Sequence, residues 1–424
     1  MTGRNYPKLG ERLYSQQLEN GLQICVLPRT GWNQSQAFLA VRCGGADRRF
    51  RYAGEFVETP VGTAHYLEHR QFETEEGDAL IRLSEQGAWA NAFTSADMTA
   101  YYFASTSQFE KNLRTLLRFV SVPWFPAEGV ERERGIILQE LSMESDDPAA
   151  MAYYDMLNAL FSDHPIRERI LGTEESLAQI TAETLYRWHR ILYTPANMIL
   201  CAVGDVDPDR IAALAEAELP AAPTQLPVRD YGKPEGAYPV RRRVLRRMET
   251  GVPVFCAGAK YALPSLGAAR RKKQLTGELA LSLLLGRTSP LFARLYGEGA
   301  LRAEPDMDAD VAAGAGFVVL EGESREPEHV LDGFLRDAAA LTRDGVDPTA
   351  LARRKKVLTG QFFRDLNEFD NVCYNMARAY FGGYSYLDTP DVLAEIGAED
   401  VAAFAAECLT PETIALAAVM PQNA

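Results

Sequence analysis

Two histidines and a glutamate in the run His65-Tyr-Leu-Glu68-His69 are the residues of this sequence best fitted to do chemistry. On a helix, positions four apart share a face, so the imidazoles of His65 and His69 can reach one ion while Glu68 stands beside them. Zinc takes imidazole nitrogens and, at a catalytic centre, keeps one position for water. A carboxylate beside that water can take its proton during attack on a carbonyl, which is metal-assisted peptide hydrolysis. His65, Glu68, His69 and Phe72 also follow i, i+3, i+4, i+7, which puts three polar groups on the face that should be core. Burying such groups unpaired is costly, and a metal removes the cost.

Two imidazoles hold zinc weakly, so a third ligand is needed. Glu131-Arg-Glu133-Arg-Gly-Ile-Ile-Leu-Gln-Glu140-Leu reads as a helix on which Glu133 and Glu140 share a face with Ile136 and Ile137. A carboxylate on an apolar face suits a ligand, here Glu140, and Glu133 suits a partner that orients an imidazole. An exposed helix laced with Glu–Arg pairs fits the same letters, and Glu144 and Asp146 compete for the ligand role.

The elements that must position these residues are written twice. Leu177-Ala-Gln-Ile-Thr-Ala-Glu leads through a helical stretch to Thr194-Pro195 and the strand Met198–Val203. Leu393-Ala-Glu-Ile-Gly-Ala-Glu leads likewise to Thr410-Pro411 and Ile414–Val419, at a constant offset of 216. In each half strands come first, then an amphipathic helix (Gly62–Phe72; Gly277–Gly286), a β-rich stretch and further helices. This order predicts an α+β fold of two homologous domains, each a mainly antiparallel sheet with packed helices. The expected domains are 1–222 and 240–424, with a Pro- and Gly-containing linker at 223–239. The offset places His65, Glu68 and His69 on Leu281, Leu284 and Leu285, so only the first half carries the chemistry.

Length and composition agree with two soluble domains: 424 residues, 47% hydrophobic and 24% charged. Lys+Arg 44 against Asp+Glu 58 gives a net charge of −14, which argues against nucleic acid as a partner. The apolar runs are far shorter than a membrane span, and Met1-Thr-Gly-Arg-Asn-Tyr-Pro7 has no apolar stretch of the kind a secretory signal requires. The six scattered cysteines read as buried free thiols, so the expected compartment is the cytoplasm. His164 and His189 are expected at loop or helix-surface positions, and His329 near a helix start.

HxxEH followed by a distant glutamate within Glu131-Arg-Glu133 … Gln139-Glu140 resembles the pitrilysin/insulinase family of metallopeptidases, the inverzincins. The likeness extends over nearly the whole chain, from Leu18-Glu-Asn-Gly-Leu22 to Ser289-Pro-Leu-Phe292 in the second half. The resemblance implies a tandem duplication forming half of a clam-shell, with His65, His69 and Glu140 binding one zinc ion, Glu68 activating water and Glu133 supporting the ligands. It also implies that Asn91-Ala92-Phe93-Thr94 is an edge strand that pairs with an extended peptide. Glu140 follows His69 at a shorter interval than is usual in the family, which keeps Asp146 open as the ligand.

Active relatives place an Arg and a Tyr in the second domain, and here those positions fall on Tyr296 and Ala303. The resemblance therefore implies a two-component peptidase, a heterodimer with a paralogous subunit that carries the Arg/Tyr pair, with a homodimer as the other assembly. The expected activity is zinc-dependent endopeptidase action on small or extended peptides in an enclosed chamber. A non-catalytic scaffold subunit of the same fold is the rival reading.

Overall fold

The strands Met198–Gly204 and Ile414–Pro421 carry no charged or hydroxyl side chain, a pattern that suits strands covered on both faces. The structure, a computed structural model, describes residues 1–219, 225–264 and 266–422 and puts each of these strands inside its own sheet. The first sheet runs Thr2–Tyr6, Glu11–Gln17, Gln23–Pro28, Met198–Gly204, Ser35–Val41, Thr99–Ser105, Ala88–Thr94. The second runs Arg243–Met248, Ile414–Pro421, Val254–Lys260, Ala315–Glu323, Asp306–Ala312. Neighbours are antiparallel except for one parallel pair in each sheet, Gln23–Pro28 with Met198–Gly204 and Arg243–Met248 with Ile414–Pro421. The parallel pair occupies the same place in both sheets, so the fold is a duplicated α+β unit.

Alternation of side chains along the strands builds two cores per sheet. In the first sheet Ile24, Val26, Leu39, Leu200 and Ala202 face that half's own helices. Phe38, Ala40, Ile199, Cys201 and Val203 point the other way, onto Val372, Cys373, Met376 and Ala377 of the helix Phe369–Gly382, which belongs to the second half. The second sheet is covered in return. Cys256, Phe317, Ala415 and Ala417 pack against Met156, Leu157 and Leu160 of the helix Pro148–Leu160, from the first half. Each half thus lends a helix to the other half's sheet.

Gly258 shows how close this exchange is. A Cβ there would lie 2.5 Å from Met156 Sδ and 2.8 Å from the Val318 carbonyl oxygen. Gly258→Ala should therefore destabilise the protein by about 1–3 kcal/mol through overpacking, read as a lower midpoint in urea unfolding.

The expected helix at Gly62–Phe72 is observed as Thr63–Gln71. Its counterpart in the second half starts earlier than expected, at Ala268, because Arg270, Arg271, Lys272 and Lys273 form a charged first stretch that hides the apolar periodicity. The expected domain boundary at 222/223 lies outside the described residues. The described part of the proposed linker is tied down rather than free. Val228–Arg229 adds a strand to Arg49–Tyr52, and Glu235 accepts the backbone N–H groups of Ser162, Asp163 and His164 at 2.8–3.1 Å. Among the described residues no helix is long and apolar enough to cross a membrane.

Candidate metal centre

The helix Thr63–Gln71 leaves its N-cap at Gly62, whose φ of 91° is open to glycine and strained for other residues. A Cβ at that position would also stand 2.8 Å from the Leu171 carbonyl oxygen. The helix is buried along most of its girth. Tyr66 and Leu67 enter the core, Tyr66 Oη donates to the Val130 carbonyl, and Gln71 Nε2 donates to the Phe119 carbonyl at 2.5 Å. His65 and His69 occupy its half-buried side, with ring centroids 4.5 Å apart.

The helix Ala127–Ser145 lies across this one and is anchored by buried Val130 and Ile137. It delivers both predicted glutamates. Glu140 Oε2 is 3.5 Å from His69 Nε2 and 3.8 Å from His65 Nε2. The three donor groups fall within 4.8 Å of one another, and this is the one cluster of its kind among the described residues. Four-coordinate zinc with bonds of about 2.0–2.1 Å sets its donors about 3.3 Å apart, close to the observed spacing. Glu144 is instead paired with Arg169 at 2.5 Å, and Asp146 ends the helix as its C-cap.

The neutral state of His65 and the orientation of His69 suit metal binding. His65 is pushed down to about 3, first by burial and then by its neighbour His69, so it stands as a neutral ring. Glu133 Oε1 accepts from His69 Nδ1 at 3.0 Å, which fixes the proton there and leaves Nε2 facing Glu140. Burial disfavours a charge on His69, but the Glu133 hydrogen bond and the nearby carboxylates outweigh it and raise its pKa. Glu133 is held below the usual carboxylate range, chiefly by His69, and its other oxygen meets Arg70 Nη1 at 3.4 Å. Arg70 is itself buried and also pairs with Glu73. Glu133→Gln keeps the shape but weakens the hold on His69 and Arg70, so metal affinity should fall about 10–100-fold in a competition titration with a chromogenic chelator.

Glu68 is 8% exposed, and burial raises its pKa. Its Oε2 accepts from Thr94 Oγ1 at 2.8 Å. Thr94 closes the strand Ala88–Thr94, which is the edge of the first sheet, so the predicted peptide-binding strand reaches the metal helix directly. Ala92 is partly buried against the same core as that helix, and Asn91 is exposed and accepts the Ala92 N–H at 2.9 Å. Phe93 points to the opposite side, packed on Phe38, Tyr102 and Tyr374, and so anchors the strand.

In the second half Leu281, Leu284 and Leu285 are buried in the core. Tyr296 is 58% exposed against Phe292, Ala303 is exposed, and Arg294 faces Asp337 at 3.7 Å. His164 and His189 depart from expectation. Both are buried, bonded through Nε2 to the carbonyls of Ala313 at 3.2 Å and Val120 at 2.9 Å. Sequence reasoning missed Arg70, Glu73 and the Thr94–Glu68 bond. A basic residue directly after the HxxEH run, on a helix otherwise set into the core, was the one available signal for Arg70.

Comparison with known proteins agrees with this geometry. A family profile described as "Insulinase (Peptidase family M16)" matches residues 52–174, which contain all three donors, Glu68 and Glu133. A profile described as "Peptidase M16 inactive domain" matches residues 179–358. The chain is 34% identical, over 99% of both sequences, to a Bacillus subtilis (strain 168) protein named zinc protease YmfH and described as uncharacterized. A zinc protease of Mycobacterium leprae, likewise described as uncharacterized, is 33% identical over 161 residues, 37% of this chain and 36% of its own. The crystal structure of an Alicyclobacillus acidocaldarius protein described as M16-like superposes with a TM-score of 0.93 at 30% identity, covering 99% of this chain and all of that one. Pitrilysin superposes with a TM-score of 0.78 at 19% identity, covering 99% of this chain and 46% of its own, a likeness of fold. Relatives named as proteases and a full-length match in sequence and structure place the chain in the M16, or insulinase, family of peptidases.

Proposed function

We propose that the chain is a zinc-dependent metalloendopeptidase acting on small or extended peptides, to process a precursor or to degrade them. The observation that carries this is the convergence of His65, His69 and Glu140 beside a buried glutamate bonded to the sheet's edge strand. A zinc ion held by those three residues would supply Lewis-acid polarisation of water and of the scissile carbonyl. Glu68 takes the proton of the attacking water and passes it to the leaving nitrogen, and its raised pKa suits a group that must hold that proton in between. Thr94 fixes one Glu68 oxygen and leaves the other for the transfer. The edge strand, through Asn91 and Ala92, pairs with the peptide backbone, which gives affinity with little side-chain selectivity.

The exposed Tyr296 and Ala303 offer no cation at the positions where active relatives carry an Arg/Tyr pair. This supports a heterodimer with a paralogous subunit that contributes the pair and closes the chamber. The six free cysteines, all but Cys25 buried, support a reducing compartment, the cytoplasm. The test is cleavage of a quenched mixed-peptide library with and without the paralogous subunit. Activity only in the mixture is expected. Activity of the lone chain would overturn the two-component assembly, and tight metal with no cleavage in either sample would favour the scaffold reading.

A further inference from the structure

A cavity of about 380 Å³ lies where the two halves meet. First-half residues reach it from the end of the strand Ser35–Val41 and from the loop after Thr94. Second-half residues reach it from the helices Ala268–Leu285 and Phe369–Gly382. Its charged lining is Arg42, Arg229, Arg270 and Arg378 against a single carboxylate, Asp97. Two of the arginines are already neutralised. Arg229 Nε donates to Asp47 Oδ1 at 2.9 Å, and Arg378 Nη2 donates to Asp310 Oδ1 at 2.8 Å.

The other two are not. The Arg42 side chain makes no hydrogen bond or ion pair with a described residue, and its charge is felt by Asp97 and Arg270. Arg270 donates to the Pro264 carbonyl at 3.3–3.4 Å, a neutral acceptor. Burial, and then the charge of Arg42, hold Arg270 below the usual guanidinium range. Asp97 is spent in part on the Ala313 N–H at 2.9 Å, and it is one carboxylate facing four guanidiniums in the lining. Two half-buried guanidiniums that repel each other across a cavity are costly unless something negative enters. Phe381 and Tyr384 add aromatic wall.

We propose that this cavity binds a small organic anion, a carboxylate or phosphate with an apolar body, whose charge lies between Arg42 and Arg270. A guanidinium fork matches either anion in bidentate fashion, and a cavity of this size holds a molecule of metabolite dimensions. Arg42 belongs to the first half and Arg270 to the second, so the bound anion ties the halves together. It also rests against the loop carrying Asp97, which continues from Thr94, the partner of Glu68. The proposal does not depend on the metal centre or on peptidase activity.

The test is calorimetric titration and thermal unfolding of the full chain at constant ionic strength. The probes are inorganic phosphate, succinate, 3-phenylpropionate, and a tripeptide ending in Phe as free acid and as amide. Peptide arms use Glu68→Gln protein to prevent turnover. Saturable binding that raises Tm is expected, weakened at least about tenfold by Arg42→Gln and by Arg270→Gln and restored in part by Arg42→Lys, which returns the charge without the fork. Unliganded Tm should stay level or rise in the Gln variants, because each removes a like-charge repulsion. Binding of the free small anions identifies a metabolite-like ligand, whereas binding of the free-acid tripeptide alone, with the amide silent, identifies the carboxyl end of a peptide. No saturable binding by any probe, or binding undiminished in both Gln variants, overturns the proposal.

Discussion

Glu68→Gln should leave one metal ion bound per chain and reduce peptide cleavage by about 10²–10⁴-fold, the usual worth of a positioned general base. The substitution keeps the size of the side chain and its capacity to accept from Thr94 Oγ1, which lies 2.8 Å from Oε2 in the wild type. It removes only the ability to take a proton. Because Glu68 is buried and its pKa is raised by that burial, an uncharged amide should also be tolerated there without loss of stability. Metal content by mass spectrometry, together with cleavage of the quenched library, separates the two effects. Loss of metal in this variant would mean that Glu68 holds the ion, and the assignment of base would fail.

The second large effect is the opposite pairing. His65→Ala, His69→Ala and Glu140→Gln each remove one of three donors that lie within 4.8 Å, and each should abolish both tight metal and activity. Among them His69→Ala should do most damage to the surroundings. Glu133 would then lose its closest partner, at 3.0 Å, and be left with Arg70 at 3.4 Å. Chelation of the wild type with 1,10-phenanthroline should reproduce the activity loss, and added zinc should reverse it. An Asp146→Asn variant should retain both metal and activity, since Asp146 caps the helix and lies outside the donor cluster. If Asp146→Asn loses metal while Glu140→Gln keeps it, the ligand assignment is wrong.

Much of this site was legible because it rests on two short helical spacings. His65, Glu68 and His69 share a face by geometry alone, and Glu133 and Glu140 do so seven residues apart on a second helix. What brings the second helix to the first is tertiary. The Tyr66–Val130 bond, the buried Ile137 and the Arg70–Glu133 pair join residues whose separation in sequence carries no period. The same holds for His164 and His189, whose burial depends on carbonyls of distant segments. The duplication was visible as repeated letters, and the matching parallel strand pairs in the two sheets follow from it. The exchange of helices between halves was not visible. Apolar stripes on Pro148–Leu160 and Phe369–Gly382 say that each helix is covered, and nothing in their periodicity says by which sheet.

That exchange has a consequence during synthesis. The first sheet is complete once the ribosome has made Met198–Gly204, yet its second face stays bare until Phe369–Gly382 emerges, well over a hundred residues later. Through that interval Phe38, Ile199, Cys201 and Val203 form an apolar surface with no native cover, open to chaperones or to the wrong partner. The nascent chain thus passes through a long half-built stage, and folding finishes only when its last quarter arrives.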